Sequence, residues 1–476
     1  MDEDDHDELL QCSDEESMSE SGDDQCIPID KPENVQVQTS IYTLHTKTEF
    51  ILIKFTLILT ATALLILLPL FQESINIKGS AFLILNFTSI FVMLILLVIT
   101  ILCRRFCKDF ESINVAKTPL KVRELVATSL IYVSSGFIII YAVDRKKVMC
   151  HLQDPIKGLV LVFSLIYYFF FCKKLMGLQR IFSTTTIIVG LFISVDYGLC
   201  DEFRCRGNDR EHKSDDAGFW KWQIHSIWAG IYIVGLALFS AFYMLLDRYL
   251  ICSAIVSPYA SLSSQLLTTV SRLVSFQSVN TIPLSSQTRS LTTTRMNRKV
   301  YSAVHLSFWL HGFTFAFTVL FFWIDMLPNV GKSDNIVDFL IHTNNGLKCI
   351  FNPNLNHTSD CGNTSLYAWL FLLAYLGYFL SSIRFLILSQ SAVYTIATTS
   401  VALPMVGIWW SLFKMCTVKK GLLIWAPTLS GELICALLGL PIVLIGLALL
   451  CKSHFKDCHL SRISSSTCSV STAHLA

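Results

Sequence analysis

The sequence predicts an all-α polytopic membrane protein: about ten transmembrane helices in two five-helix repeats, with both termini cytosolic. Three observations predict it. Only 15% of the 476 residues are charged and 53% are hydrophobic, whereas soluble domains carry about 25% charged residues. Apolar runs as long as a bilayer core is thick recur along the chain, and mean hydropathy is +0.55. Lastly, Lys157 to Ser194 reads as a hairpin: KGLVLVFSLIYYFFFC, a basic turn KKLMGLQR, then IFSTTTIIVGLFIS. A weaker copy lies near the end of the chain, where LPMVGIWWSL (403–412) and ALLGLPIVLIGLALL (436–450) flank a basic turn. YYFFFCKK from Tyr167 matches WWSLFKMC from Trp409, and VGLFIS from Val189 matches IGLALL from Ile445. A hairpin repeated at the close of each half is a transporter signature.

Composition also narrows the class. A net charge of +2 gives no argument for nucleic acid. The sixteen cysteines do not form a secreted framework, because many lie inside spans as small hydrophobes. The first forty or so residues are polar and acidic, so no cleavable signal peptide is read there and the first span serves as insertion signal.

Residues 1–48 read as a disordered acidic cytosolic tail. In it Asp5, Leu9 and Leu10 fit an acidic dileucine pattern. A flexible tail offers two apolar side chains to a clathrin-adaptor pocket and a negative charge steers them. Ser13, Ser17, Ser19 and Ser21 lie among acidic residues as phosphorylation candidates. The first five-span half covers 49–200, with spans near 50–70, 81–102, 124–143, 157–172 and 181–199. A lumenal loop, 201–222, follows, and a sixth span occupies 223–246. Residues 247–300 form a Ser/Thr-rich cytosolic loop. Residues 301–451 hold spans seven to ten, near 302–326, 366–387, 391–413 and 433–451, with a lumenal loop at 327–365. Residues 452–476 form a second cytosolic tail.

Orientation rests on three features. The loop CRRFCKDFESINVAKTPLKVR is basic, as a cytosolic loop should be. The sequons at Asn356 and Asn363 share loop 327–365, which that orientation places in the lumen, where glycans are added. The dileucine tail then faces the cytosol. An oxidising lumen would let Cys349 pair with Cys361, and Cys200 with Cys205.

No soluble catalytic constellation is visible, so the chain is not read as an enzyme, and neither cofactor nor metal is expected. Polar stripes at helical spacing are the more useful signal. Ser307, His311, Thr314 and Thr318 share one face of the seventh span. Tyr367, Phe371, Tyr375, Tyr378 and Ser382 do so on the eighth. Thr395 and Thr398 on the ninth and Tyr132 and Ser135 on the third complete the set. Such faces turn from lipid and can line a common cavity. Each Ser or Thr can equally bond its own backbone. His311 lies deep in its span, and an unperturbed imidazole titrates near pH 6.5, between the values of an acidic organelle and the cytosol. It is the expected proton or substrate contact. Lys54, Asp247, Arg248, Asp325 and Arg384 fall near span ends, where long side chains reach water.

The fifth span, KLMGLQRIFSTTTIIVGLFIS, has a Gln after a short turn and a late Gly, here Gln179 and Gly190. The tenth span carries Gly439 and Gly446, and the sixth reads WAGIYIVGLALFSAFYMLLDRYL. With ten spans and short basic turns, these resemble the drug/metabolite transporter superfamily. Its nucleotide-sugar carriers and its chloroquine-resistance-transporter-like carriers are the nearest branches. The second branch is similar in its enlarged, cysteine-bearing loop between spans seven and eight. The 247–300 insert departs from that pattern.

The expected function is secondary active transport of a small organic solute across an endolysosomal membrane, coupled to protons that His311 exchanges. The alternatives are a Golgi nucleotide-sugar transporter and a multi-span receptor or sensor without transport. Few Lys or Arg lie mid-span, which argues against a sugar nucleotide. Expected partners are the lipid bilayer, the solute, protons, clathrin adaptors at the N-terminal tail and a second copy in a homodimer.

Overall fold

The computed structural model describes residues 33–471 apart from 77–78, 107–121, 145–146, 149, 173–175, 196–201, 205–209, 213–223, 251–286, 352–360, 362, 416–422, 428 and 430. Asp5, Leu9, Leu10, Cys200, Cys205 and Asn356 lie outside the described residues. Contacts divide the chain into two units, Met1–Glu49 and Phe50–Ala476, and the second holds every element below except the start of α1.

Helices dominate: α1 (Glu33–Ile75), α2 (Ala81–Phe106), α3 (Val122–Val143), α4 (Cys150–Cys172), α5 (Leu178–Ile193) and α6 (Ile224–Leu250). They are followed by α7 (Gln287–Leu320), α8 (Ile336–Phe351), α9 (Thr364–Ser389), α10 (Ala392–Ser400), α11 (Ala402–Leu412) and α12 (Gly431–Ser471). Two small antiparallel hairpins, Glu202–Arg204 with Arg210–His212 and Phe413–Met415 with Leu423–Trp425, complete the described elements. Among the described residues, 8 helical stretches are long and apolar enough to cross a membrane. They match eight of the apolar runs picked out in the sequence. The other two runs are also helical. At 16 residues, α5 rises about 24 Å, less than the hydrocarbon core, and α4 carries Asp154 and Lys157 paired near its start.

The ninth apolar run is two helices rather than one. Pro404 has no amide hydrogen for the carbonyl of Ser400, and the helix breaks at Val401. The start of α10 is tightly held. Gln390 takes a left-handed conformation (φ 50°) to end α9, and the Ser391 hydroxyl accepts from the Tyr394 amide. The Asp247 carboxylate accepts from the Ala392 amide at 3.1 Å. Asp247 is therefore buried as a helix cap, not extended to water as its place near a span end suggests.

Glycine removes the side chain where α5 meets α12. A Cβ on Gly439 would stand 2.5 Å from the Gly190 carbonyl oxygen, so α5 and α12 touch backbone to backbone. A Cβ on Gly190 would meet Val443, and one on Gly446 would meet Ile187. Val443 is three residues before Gly446, and Ile187 is three residues before Gly190, so the seam is reciprocal. Beyond this seam, α2 packs on α7 and α4 on α10.

Cys349 and Cys361 form a disulfide that ties the end of α8 to the start of α9. Asn363 is the residue that precedes α9 at that point, and its side chain makes no capping hydrogen bond.

Candidate functional site

A cavity of about 140 Å³ lies among α1, α2, α3, α6, α7 and α9. Its apolar wall includes Leu64, Leu68, Ile139, Phe239 and Phe371. Its polar wall is Thr88, Ser89, Tyr132, Ser135, Thr314, Thr318 and Tyr375, with no charged residue among the lining. The sequence-derived residues Tyr132, Ser135, Thr314 and Tyr375 thus meet on one cavity. The hydroxyl protons of the small residues are all directed at backbone carbonyls. Thr88 donates to Ile84, Ser89 to Asn86, Thr314 to Leu310 and Thr318 to Thr314. Ser135 donates across to Gly235 of α6 at 2.8 Å.

The remaining candidates are not part of this cavity's lining. Ser307, Thr395 and Thr398 are wholly buried and donate to the carbonyls of Ala303, Ser391 and Tyr394 on their own helical segments. Their polar groups are satisfied locally, so they need no cavity. Tyr378 shares its hydroxyl with Tyr243 of α6 at 2.9 Å. His311 is fully buried behind the cavity wall rather than facing it. Its Nδ1 lies 3.0 Å from the Ser307 carbonyl and its Nε2 3.3 Å from the Tyr375 hydroxyl. Phe379 covers the ring edge-on at 4.2 Å between centroids. The Tyr375 hydroxyl in turn lies 2.6 Å from that of Tyr132. A chain of three polar groups therefore runs from His311 to the cavity wall.

A second polar cluster closes the bundle near the carboxyl ends of α1 and α3. Asp325, in a 3-10 turn (Phe322–Met326) after α7, has 0% exposure. Its two carboxylate oxygens accept from the hydroxyls of Tyr141 and Ser333, each at 2.9 Å. Asp144 accepts from the Asn76 amide at 2.6 Å. The Gln72 amide donates to the Ile140 carbonyl at 3.1 Å. The Lys332 ammonium donates to the carbonyls of Asn76 and Gly79, both at 2.9 Å, and closes the end of α1. The Lys147 ammonium donates to the Val330 carbonyl and lies 4.4 Å over the Trp228 ring. A Cβ on Gly331 would fall 1.8 Å from the Asp325 carbonyl oxygen, so only glycine lets the loop fold so closely over the turn.

Sequence reasoning missed Tyr243, Gln72 and Asp144, and it read Asp325 as an interfacial side chain. The available signal was the setting of Asp325 in FFWIDMLP, a lone carboxylate among large apolar residues. Such a group is buried only with partners. Among the described residues, no three His, Cys, Asp or Glu side chains are grouped to hold a metal ion. Comparison with protein-family models and with curated proteins finds no match to this chain.

Proposed function

We propose that this chain is a secondary active transporter of a small organic solute, proton-coupled, in an endolysosomal membrane. It would follow the drug/metabolite transporter plan of ten spans in two halves with cytosolic termini. The observation that carries the reading is the cavity, whose walls come from three spans of each proposed half. A solute site between two helix repeats is the arrangement alternating access needs. The reciprocal seam of α5 and α12 supports the two-half reading, because a contact in which each side offers a glycine to the residue three places before the other's glycine is what a two-fold relation produces. The pairing of α2 with α7 and α4 with α10 supports it again, since each element meets its own counterpart. The cavity lining has no Lys or Arg for phosphate groups, which weighs against a sugar nucleotide as cargo. In this proposal the Asp5, Leu9 and Leu10 signal directs sorting, and Asn356 and Asn363 carry lumenal glycans.

The test is a metabolite comparison of organelles isolated with and without the protein. The lumenal content of a solute should change when the protein is absent, and the wild-type chain should restore it. Gly136→Leu, which fills the cavity against Leu85, should not. Equal metabolite contents, or restoration by the filled variant, would end the proposal.

A further inference from the structure

His311 does not touch the cavity, yet one hydroxyl relay joins it to the cavity wall. The proton positions in that relay follow from its fixed end. The Ser307 carbonyl can only accept, so His311 Nδ1 carries a hydrogen and donates to it. In the neutral imidazole Nε2 then has only a lone pair. The Tyr375 hydroxyl must donate to that nitrogen, which leaves its oxygen to accept from Tyr132. With the Ser and Thr protons of the wall directed at backbone carbonyls, the cavity offers lone pairs alone.

A proton added at Nε2 reverses every step. The imidazolium donates to the Tyr375 oxygen, and the Tyr375 hydroxyl turns toward Tyr132. The Tyr132 hydrogen is released into the cavity. One proton enters, two hydroxyls rotate and no covalent bond between heavy atoms changes. The groups facing the relay are few. Ser307 comes from α7 itself, Tyr375 and Phe379 from α9, and Tyr132 from α3, with the Tyr243–Tyr378 pair beside them. Among the described residues, none of His311, Tyr375 and Tyr132 is hydrogen-bonded to a carboxylate, ammonium or guanidinium.

We propose that His311, acting through Tyr375 and Tyr132, sets whether the cavity accepts or donates a hydrogen bond. The inference rests on the cavity being the solute site and gives that site a ligand class. With His311 neutral the cavity takes a small, largely apolar molecule bearing an N–H or O–H donor and no negative charge. With His311 protonated the wall presents a donor and the same molecule is released. Solute and proton then compete, which is the logic of an antiporter that releases cargo on the acidic side. Tyr375 and Tyr132 are positioning and specificity residues in this scheme, and His311 is the switch.

The test uses the full chain in lipid nanodiscs with ¹⁵N-labelled histidine, the His311 signal being assigned by its loss in His311→Gln. At pH 8 that signal should show the Nδ1–H tautomer, and it should titrate on acidification. Indole and benzofuran, matched in shape but carrying a ring N–H and a ring oxygen respectively, serve as probes. At pH 8 the protein should bind indole about fivefold more tightly, the typical net worth of a neutral hydrogen bond. That preference should vanish or invert over the range in which His311 titrates. Tyr375→Phe should make the preference independent of pH, and Tyr132→Phe should reduce it at pH 8. An Nε2–H tautomer at pH 8 overturns the proposal, and so does an imidazole that stays neutral down to pH 4.5. It is overturned equally by a preference that ignores the titration, by pH dependence that survives in Tyr375→Phe, or by failure of both probes to bind. A switching preference in a protein that moves no solute would remove the transporter reading and keep this one. Transport with a fixed preference would do the reverse.

Discussion

Tyr141 donates to a carboxylate that also accepts from the Ser333 hydroxyl and is met by the Ser80 side chain and the Lys332 backbone amide. Removing that donor leaves a buried oxygen without its partner, a loss that typically costs about 1–3 kcal/mol. Tyr141→Phe should therefore lower the melting temperature of the detergent-solubilised protein, although the ring and its packing remain. Asp325→Asn keeps an acceptor for one of the two hydroxyls and should cost less than Asp325→Ala, which orphans both. Equal melting temperatures for the three variants and wild type would show that the cluster contributes nothing to closure at this end. Only part of this chemistry was legible beforehand. The stripe of Tyr375 and Tyr378 on α9 showed itself as spacing along one helix face. The partners Tyr132 and Tyr243 come from α3 and α6, and no one-dimensional spacing links them. Asp325 looked interfacial because distance from a span end measures depth poorly when a turn and loop fold back over the side chain.

At the scale of helices, the α5–α12 seam makes the clearest demand. A methyl group at Gly439 meets the Gly190 carbonyl, the Ser194 Cα and the Ser194 Cβ, all within 2.6 Å. Neither backbone can yield without moving a helix, and overpacking of this kind typically costs about 1–3 kcal/mol. Gly439→Ala should reduce thermal stability measurably. Gly230→Ala is the control, since nothing lies within 4 Å of its added Cβ and alanine favours a helix. The control should be neutral or slightly stabilising; a loss there equal to that at Gly439 would show that the seam is not the cause. The disulfide gives a third expectation. Cys349→Ser with Cys361→Ser should cost about 2–4 kcal/mol and loosen α8, seen as faster proteolysis between α8 and α9. Unchanged proteolysis would mean that packing alone holds this loop. The spans themselves were readable as apolar runs because lipid imposes a simple length rule. The break at Val401 was not, since Pro404 lies one turn beyond it and tolerance of proline depends on the neighbouring helices.

For the whole molecule, the sorting proposal has a direct check. Leu9→Ala with Leu10→Ala should move the protein from lysosomes to the cell surface, as scored by colocalisation. Unchanged lysosomal residence would remove the dileucine from the scheme. The two-half reading has a consequence for ancestry. Gly190 and Gly446 each meet the residue three places before the other, and under the two-half reading this is one surface meeting its own likeness. A gene encoding only five such spans would have produced a subunit that adheres to another copy of itself. Fusion of two such genes would then have fixed, within one polypeptide, a partnership that first had to be found by diffusion. It would also have freed the two surfaces to diverge, so that one side of the seam now carries two glycines where the other manages with one.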